Sequence, residues 1–187
     1  MPQPLDLGLG LWELLREDWE SHGRDWSLPG LRAVALHRFG VWRMGLPKLL
    51  RIPATWLYNR LYNKIRNTYG IELPYSVRLG RRVVIEHQGG IIIHGYGAIG
   101  DDSIIRQGVT LGMRHLEQPF DAPELGARVN VGAGAKIFGK ISIGDGAQIG
   151  ANAVVLNSVP AGATAVGIPA RIIAARSQRT TDSLEQS

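Results

Sequence analysis

Cysteine is absent from all 187 residues. That excludes a disulfide framework, a thiolate metal site and a cysteine nucleophile, so any catalysis has to use oxygen or nitrogen groups. No apolar run reaches the ~18 residues of a membrane span. The opening MPQPLDLGLGLW has neither the basic region nor the small-residue cleavage site of a secretory signal. A reducing, cytoplasmic setting is the expectation. The 24 glycines never settle into a Gly-X-Y period, and hydrophobic residues make up an ordinary 44%; collagen-like and disordered chains are therefore excluded too. At this length one domain with a small appendage is expected.

Acidic residues are missing from one long stretch. Between Gly30 and Gly70 stand Arg32, Arg38, Arg43, Lys48, Arg51, Arg60, Lys64 and Arg66, with no Asp or Glu. This first part, residues 1–70, is poor in glycine and rich in Trp, Leu and Arg, and it reads as a helical oligomerisation module. Leu11, Leu15 and Trp19 fall on one helical face with Leu14 beside it, while Glu13, Arg16, Glu17 and Glu20 take the others. Ser27 and Pro29 suit the start of a second helix carrying Leu31, Val34, Ala35 and Val41, with Pro47 as its stop; a third helix is predicted from Ala54 to Asn67. The basic run has two readings, a solvated face or a contact for an anionic surface such as a membrane. Nucleic acid is not expected, because no binding motif accompanies the charge.

From Leu79 an aliphatic residue returns every six positions. Leu79 and Ile85 open the series; after two extra residues come Ile93, Ile99, Ile105 and Leu111, and after an eight-residue insertion Leu125, Val131, Ile137, Ile143, Ile149 and Val155. A period of six fits neither an amphipathic helix nor a plain strand alternation. It fits a solenoid of short strands that turn at small-residue corners. Taken three to a triangular turn, the twelve hexapeptides make four coils over residues 71–173, ended by the segment from Ile168 to Ile173, with 174–187 as a flexible tail.

Stacking the coils puts equivalent positions above one another. The third position of the second strand reads His87, Gln107, Ala133 and Ala151. The two small residues leave a smooth track along one outer edge, suited to a narrow ligand lying parallel to the axis with the shape of pantetheine. A histidine at one end of that track is suited to act as general base on an acceptor hydroxyl, since imidazoles titrate near neutrality. Glu72, fifteen residues earlier and nearly one turn away, is the candidate for orienting it.

The stretch GIELPYSVRLGRRVVIEHQGGIIIHG from Gly70, followed by GVTLG, GAGAKI and GIPAR, resembles the serine acetyltransferase family of the hexapeptide-repeat transferases. The resemblance covers Gly70 to Ile173 and, more loosely, Leu15 to Trp42. It implies a left-handed parallel β-helix, a homotrimer or dimer of trimers with each cleft between two chains, and acetyl-CoA-dependent O-acetyl transfer without a metal. Glu72 and His87 take the places of the family's catalytic dyad and Glu86 that of an acceptor-binding carboxylate. Gly112, Ala133 and Ala151 take those of the acetyl-CoA track. The basic run would also suit the phosphates of coenzyme A.

The chain departs from the family in the acceptor loop. Where the serine enzymes have Asp-Arg-His-Pro, with the Arg and His recognising the amino acid, this chain has Phe120, Asp121, Ala122 and Pro123. Asp121 would repel the carboxylate of L-serine, and Arg114 and His115 become the substitutes if the loop folds back. A sugar, nucleotide-sugar or exopolysaccharide hydroxyl is the alternative acceptor, with Phe120 and Tyr96 for stacking and Gln88 and Gln107 for hydroxyls. The segment between Asp18 and Gly30 is shorter than its family counterpart, leaving Asp25 as the candidate for an N-terminal acidic contact. The chain ends Ser-Leu-Glu-Gln-Ser rather than in an Ile-terminated tail, so no sulfhydrylase complex is expected. A metal-dependent solenoid of the carbonic anhydrase type needs three histidines meeting across a subunit boundary; His22, His37, His94 and His115 lack that spacing and read as structural or exposed. A non-catalytic solenoid would have no use for the Glu-His-Gln-Gly-Gly segment.

Overall fold

The computed structural model describes residues 7–173, and the tail expected over 174–187 lies outside the described residues. Three helices come first: α1 (Leu11–Ser21), α2 (Pro29–Trp42), followed by a 3-10 turn (Arg43–Gly45), and α3 (Lys48–Tyr69). The Glu13 carboxylate accepts the Gly10 N–H (2.8 Å), closing the open end of α1. Its inward face carries a buried Asp18 beside half-buried Leu11, Leu14 and Leu15. Pro29 occupies the first turn of α2, where no N–H is needed. Helix α3 starts at Lys48, earlier than the predicted Ala54, because the Pro47 carbonyl accepts from the N–H groups of both Leu50 (3.0 Å) and Arg51 (2.9 Å). Pro53 therefore sits inside the helix and forfeits only the bond to the Leu49 carbonyl, on a turn open to water. Gly70, in the left-handed region at φ 63°, ends α3 by bonding Arg66.

From Ile71 the chain winds into a prism of three sheets whose successive coils pair in parallel. The first face holds Ile71–Glu72, Ile91–Ile93, Thr110–Gly112, Lys136–Phe138 and Val154–Val155; the second holds Arg78–Leu79, Ala98–Ile99, Glu124–Leu125 and Ser142–Ile143; the third holds Val84–Ile85, Ile104–Ile105, Asn130–Val131, Gln148–Ile149 and Thr164–Val166. All twelve hexapeptide positions are buried, each stacked on its counterpart, as in Ile85, Ile105, Val131 and Ile149. Full burial of one such side chain stabilises the fold by about 2 kcal/mol. The prism is longer than the four coils expected. Ile71–Glu72 lies below the first counted hexapeptide and Thr164–Val166 above the last, giving five parallel levels on the first and third faces. A final strand, Arg171–Ile173, folds back antiparallel against Thr164–Val166.

The first coil has no coil beneath it to complete its hydrogen bonds, and the helices supply the partners. Arg38 donates to the carbonyls of Leu79 (3.0 Å) and Gly80 (2.6 Å) while its guanidinium pairs with Asp18 (Nε to Oδ2, 2.9 Å). His37 Nε2 donates to the Val77 carbonyl (2.9 Å). Arg43 lies between the rings of Tyr58 and Tyr75, 4.5 Å from each. Glu17 pairs with Arg81, which holds its carboxyl below the usual range. Among the described residues, no helix is long and apolar enough to cross a membrane.

Candidate active site

The two extra residues noticed in the repeat fall at one corner, where the third face turns into the first for the first time. The run Glu86-His87-Gln88-Gly89-Gly90 bulges outward there, with His87 at φ 65°, Gly89 at 99° and Gly90 at 66°. Left-handed torsions at non-glycine residues recur at other corners, including Arg82, Asp102 and Asn152, so the torsion of His87 belongs to the solenoid. What sets this corner apart is its length. His87 is exposed and stands on the rim of a cavity of about 630 Å³, walled by Val84 to Gln88 on the solenoid side and by Ser21, His22, Leu28, Pro29 and Gly30 on the helical side.

That helical wall is fixed close to the corner. A Cβ on Gly30 would lie 1.9 Å from the Ile85 carbonyl oxygen, so only glycine lets α2 approach this far. His22 donates from Nδ1 to the Asp18 carbonyl (2.7 Å) and accepts at Nε2 from the Ile85 N–H (3.3 Å). Its burial lowers its pKa, which suits this neutral form. His22 is thus a structural histidine, as expected, but one that secures the strand leading into His87.

Above His87 the stacking follows the sequence register. Ile85, Ile105, Val131 and Ile149 are successive Cα partners, so Gln107, Ala133 and Ala151 occupy equivalent corner positions in the next three coils. Their peptide groups form a ladder: Gly108 N–H bonds the Gly89 carbonyl, Gly134 N–H that of Gln107 and Asn152 N–H that of Ala133, each at 2.8 Å. The small side chains of Ala133 and Ala151 leave this edge uncovered. Gly112 does not join it. It ends a strand of the first face, at the next corner, and a Cβ there would touch the Phe138 ring at 3.1 Å.

Glu72 lies on the lowest strand of the first face, half-buried, with Ile92 above it. Burial first, and then the Glu72 carboxylate, hold the Tyr62 phenol above its ordinary pKa. Among the described residues no hydrogen bond joins Glu72 to His87. Glu86 is ion-paired: Arg106 Nε donates to its carboxylate at 2.8 Å, and the same guanidinium bonds Asn130 one coil further on. Sequence reasoning missed Arg106, although register alone puts it directly above Glu86. It brings a cation to the His87 corner.

The loop 113–123 leaves from the corner between the first and second faces, so within one chain it is not gathered with His87. Arg114 packs beside Gly139, one coil further on. Turns bond Gln118 N–H to the His115 carbonyl and Asp121 N–H to that of Gln118, each at 3.1 Å. Phe120 is exposed and meets Tyr96 edge to face (4.9 Å), and Tyr96 in turn stacks on His94 (5.8 Å). Asp25, the candidate for an N-terminal acidic contact, bonds the N–H and hydroxyl of Ser27 in an exposed turn. Among the described residues, no group of three or more His, Cys, Asp or Glu could hold a metal ion.

Stacked hexapeptide coils with one lengthened corner define the class as a hexapeptide-repeat solenoid. No model of a protein family matches the chain, but individual proteins do. The serine acetyltransferase of Helicobacter pylori strain J99 is 38% identical over 174 residues, covering 90% of this chain and 97% of that protein. That of Synechococcus elongatus is 38% identical over 161 residues, 85% of this chain and 62% of the relative; the chain thus spans less than two thirds of that relative's length. Among solved structures, soybean serine acetyltransferase complexed with serine superposes with a TM-score of 0.73 at 31% identity, covering 87% of this chain and 69% of that one. The Brucella abortus enzyme in complex with coenzyme A gives 0.73 at 29%, covering 87% and 68%. The chain belongs to the serine acetyltransferase family.

Proposed function

We propose that this protein is an acetyl-CoA-dependent O-acetyltransferase that acts on the hydroxyl of L-serine. The observation that carries the reading is the corner itself, with His87 beneath Gln107, Ala133 and Ala151 on an edge of uncovered peptide groups, in a family whose solved members include complexes with serine and with coenzyme A. The thioester supplies an activated acetyl group. His87 removes the hydroxyl proton of the acceptor as its oxygen attacks the thioester carbonyl. The carbon–sulfur bond then breaks, and the departing coenzyme A thiolate takes the proton back from the imidazolium, while Glu72, reaching the imidazole from the turn below, fixes its tautomer. A corner N–H or a bound water stabilises the oxyanion. Direct transfer without an acyl-enzyme is expected.

The solenoid winds left-handed in this reading, and three prisms pack side by side so that the cleft forms between two chains. Support for a shared cleft comes from the separation within one chain. His87, Ala133 and Ala151 stand at one corner, Gly112, Arg114, His115 and Asp121 at another, and a neighbouring copy can bring the two sets face to face. Light scattering giving a monomer at micromolar concentration would remove the shared cleft.

A second reading is favoured by the acceptor end. Asp121 stands in the loop where the family carries a cation, Arg106 is already bound to Glu86, and the Tyr96–Phe120 pair offers an aromatic surface to a sugar ring. The discriminating experiment is thiol release from acetyl-CoA against L-serine, homoserine, nucleotide sugars and glycosides. Saturable turnover of L-serine, lost in Arg114→Ala, supports the amino-acid acceptor; turnover with sugars alone, indifferent to Arg114→Ala, assigns a carbohydrate acceptor. In either case His87→Ala should lower kcat by roughly two to four orders of magnitude and Glu72→Gln by less. A folded His87→Ala enzyme with wild-type turnover removes His87 as the base.

A further inference from the structure

The first half of α3 faces the solvent with the wrong kind of surface. Leu49, Ile52 and Trp56 are 85%, 70% and 67% exposed. Their spacing of three and four sets them on one side of the helix, away from the buried Tyr58. Trp42 and Met44, just before the helix, are exposed as well. This apolar face is set among cations. Of the eight basic residues between Gly30 and Gly70, Arg38 and Arg43 are consumed inside the fold, but Lys48, Arg60, Lys64 and Arg66 are exposed on the same helix. No acidic residue occurs from Trp26 through Ile71. The Arg60 guanidinium lies over the Trp56 ring at 5.9 Å.

We propose that the helical module docks on a lipid bilayer carrying anionic headgroups, with α3 lying in the interface and Leu49, Ile52 and Trp56 facing the acyl chains. Tryptophan rings favour the headgroup level, and long basic side chains reach outward to lipid phosphates while their stems cover apolar surface. A second copy is the poorer occupant. Pairing this face with itself would set Lys48 and Arg60 against their own kind, with no carboxylate on either side to compensate. A bilayer rich in phosphate satisfies both the charge and the apolar stripe.

The test is sedimentation of the full chain with vesicles of phosphatidylcholine alone and with about 30% phosphatidylglycerol, alongside light scattering. Binding should be at least about tenfold stronger to the anionic vesicles and should fall about tenfold between 0.05 and 0.5 M NaCl, as screened surface charge requires. Ile52→Glu and Trp56→Glu should each lose about tenfold or more in vesicle binding while particle mass and acetyl-CoA turnover stay unchanged. Lys48→Glu with Arg60→Glu should weaken anionic binding without altering the apolar stripe, and so covers a failure of the first variants to fold. Equal binding to both vesicle types, or none to either, overturns the proposal. A fall in particle mass on Ile52→Glu also overturns it, because the face would then belong to a second copy.

Discussion

Replacing Asp18 by alanine removes one half of an ion pair in which Arg38 and Asp18 keep only 3% and 1% of their side-chain exposure. Loss of one partner from such a pair costs about 3–5 kcal/mol, because the other charge is left buried without compensation. The two single variants should differ. In Asp18→Ala the guanidinium keeps the Leu79 and Gly80 carbonyls, which places the loss near 3 kcal/mol on that scale. In Arg38→Met the carboxylate loses its cation and two carbonyls of the first coil lose their donor, at about 1 kcal/mol or more each, so about 5 kcal/mol is expected. The double variant removes both charges together and should fall short of the summed losses by about 2 kcal/mol or more. Urea unfolding at fixed protein concentration, followed by tryptophan emission, measures all three. Single losses below about 1 kcal/mol, or strictly additive ones, would falsify the claim that this pair fastens the helices to the solenoid.

Gly30→Ala places a methyl 1.9 Å from the Ile85 carbonyl oxygen; it should cost about 1–3 kcal/mol and, by displacing the strand that leads into His87, lower kcat up to about a hundredfold. Unchanged turnover would separate the α2 contact from the site. Burial lowers the pKa of His37 from 6.5 to about 3, so the folded state holds it neutral while the unfolded chain takes up a proton. Stability should then be complete above pH 6.5 and fall as the pH drops, by about 2 kcal/mol at pH 5 from this residue, with His22 acting in the same direction; a flat stability profile over that window refutes the assignment. Arg106→Gln leaves Glu86 uncompensated beside His87 and should raise the acceptor KM about tenfold with the acetyl-CoA KM unchanged. The opposite split would move Glu86 off the acceptor side.

The prism core was fully legible, because a six-residue aliphatic period writes the stacking into the chain: Ile85, Ile105, Val131 and Ile149 are partners as the spacing requires. The extra levels were not. Leu73 keeps the period, but Pro74 and Tyr75 follow it where glycine follows most of the counted aliphatic residues, and Val159, which pairs with Ile143, comes only four residues after Val155. The third helix was expected only from Ala54, although local backbone bonding starts it at Lys48, before Pro53. Of the site, the corner ladder was readable from register. So was the Glu86–Arg106 pair, which charge at equal ladder positions would have found. The closeness of Gly30 and His22 to Ile85 was not readable, since no periodicity relates a helix to the coil it packs on.

The antiparallel return of Arg171–Ile173 has a consequence for solubility. A stack of parallel strands ends in a row of unpaired N–H and C=O groups, a ready template on which another chain can add and continue the stack. Here Thr164, Ala165 and Val166 are already paired with Ile173, Ile172 and Arg171, running the opposite way, and the helices close the other end. Removing residues 168–173 would bare that row at the top of an aliphatic column. The shortened protein should keep its coils and begin to join end to end, forming filaments that bind amyloid dyes where the full chain stays dispersed.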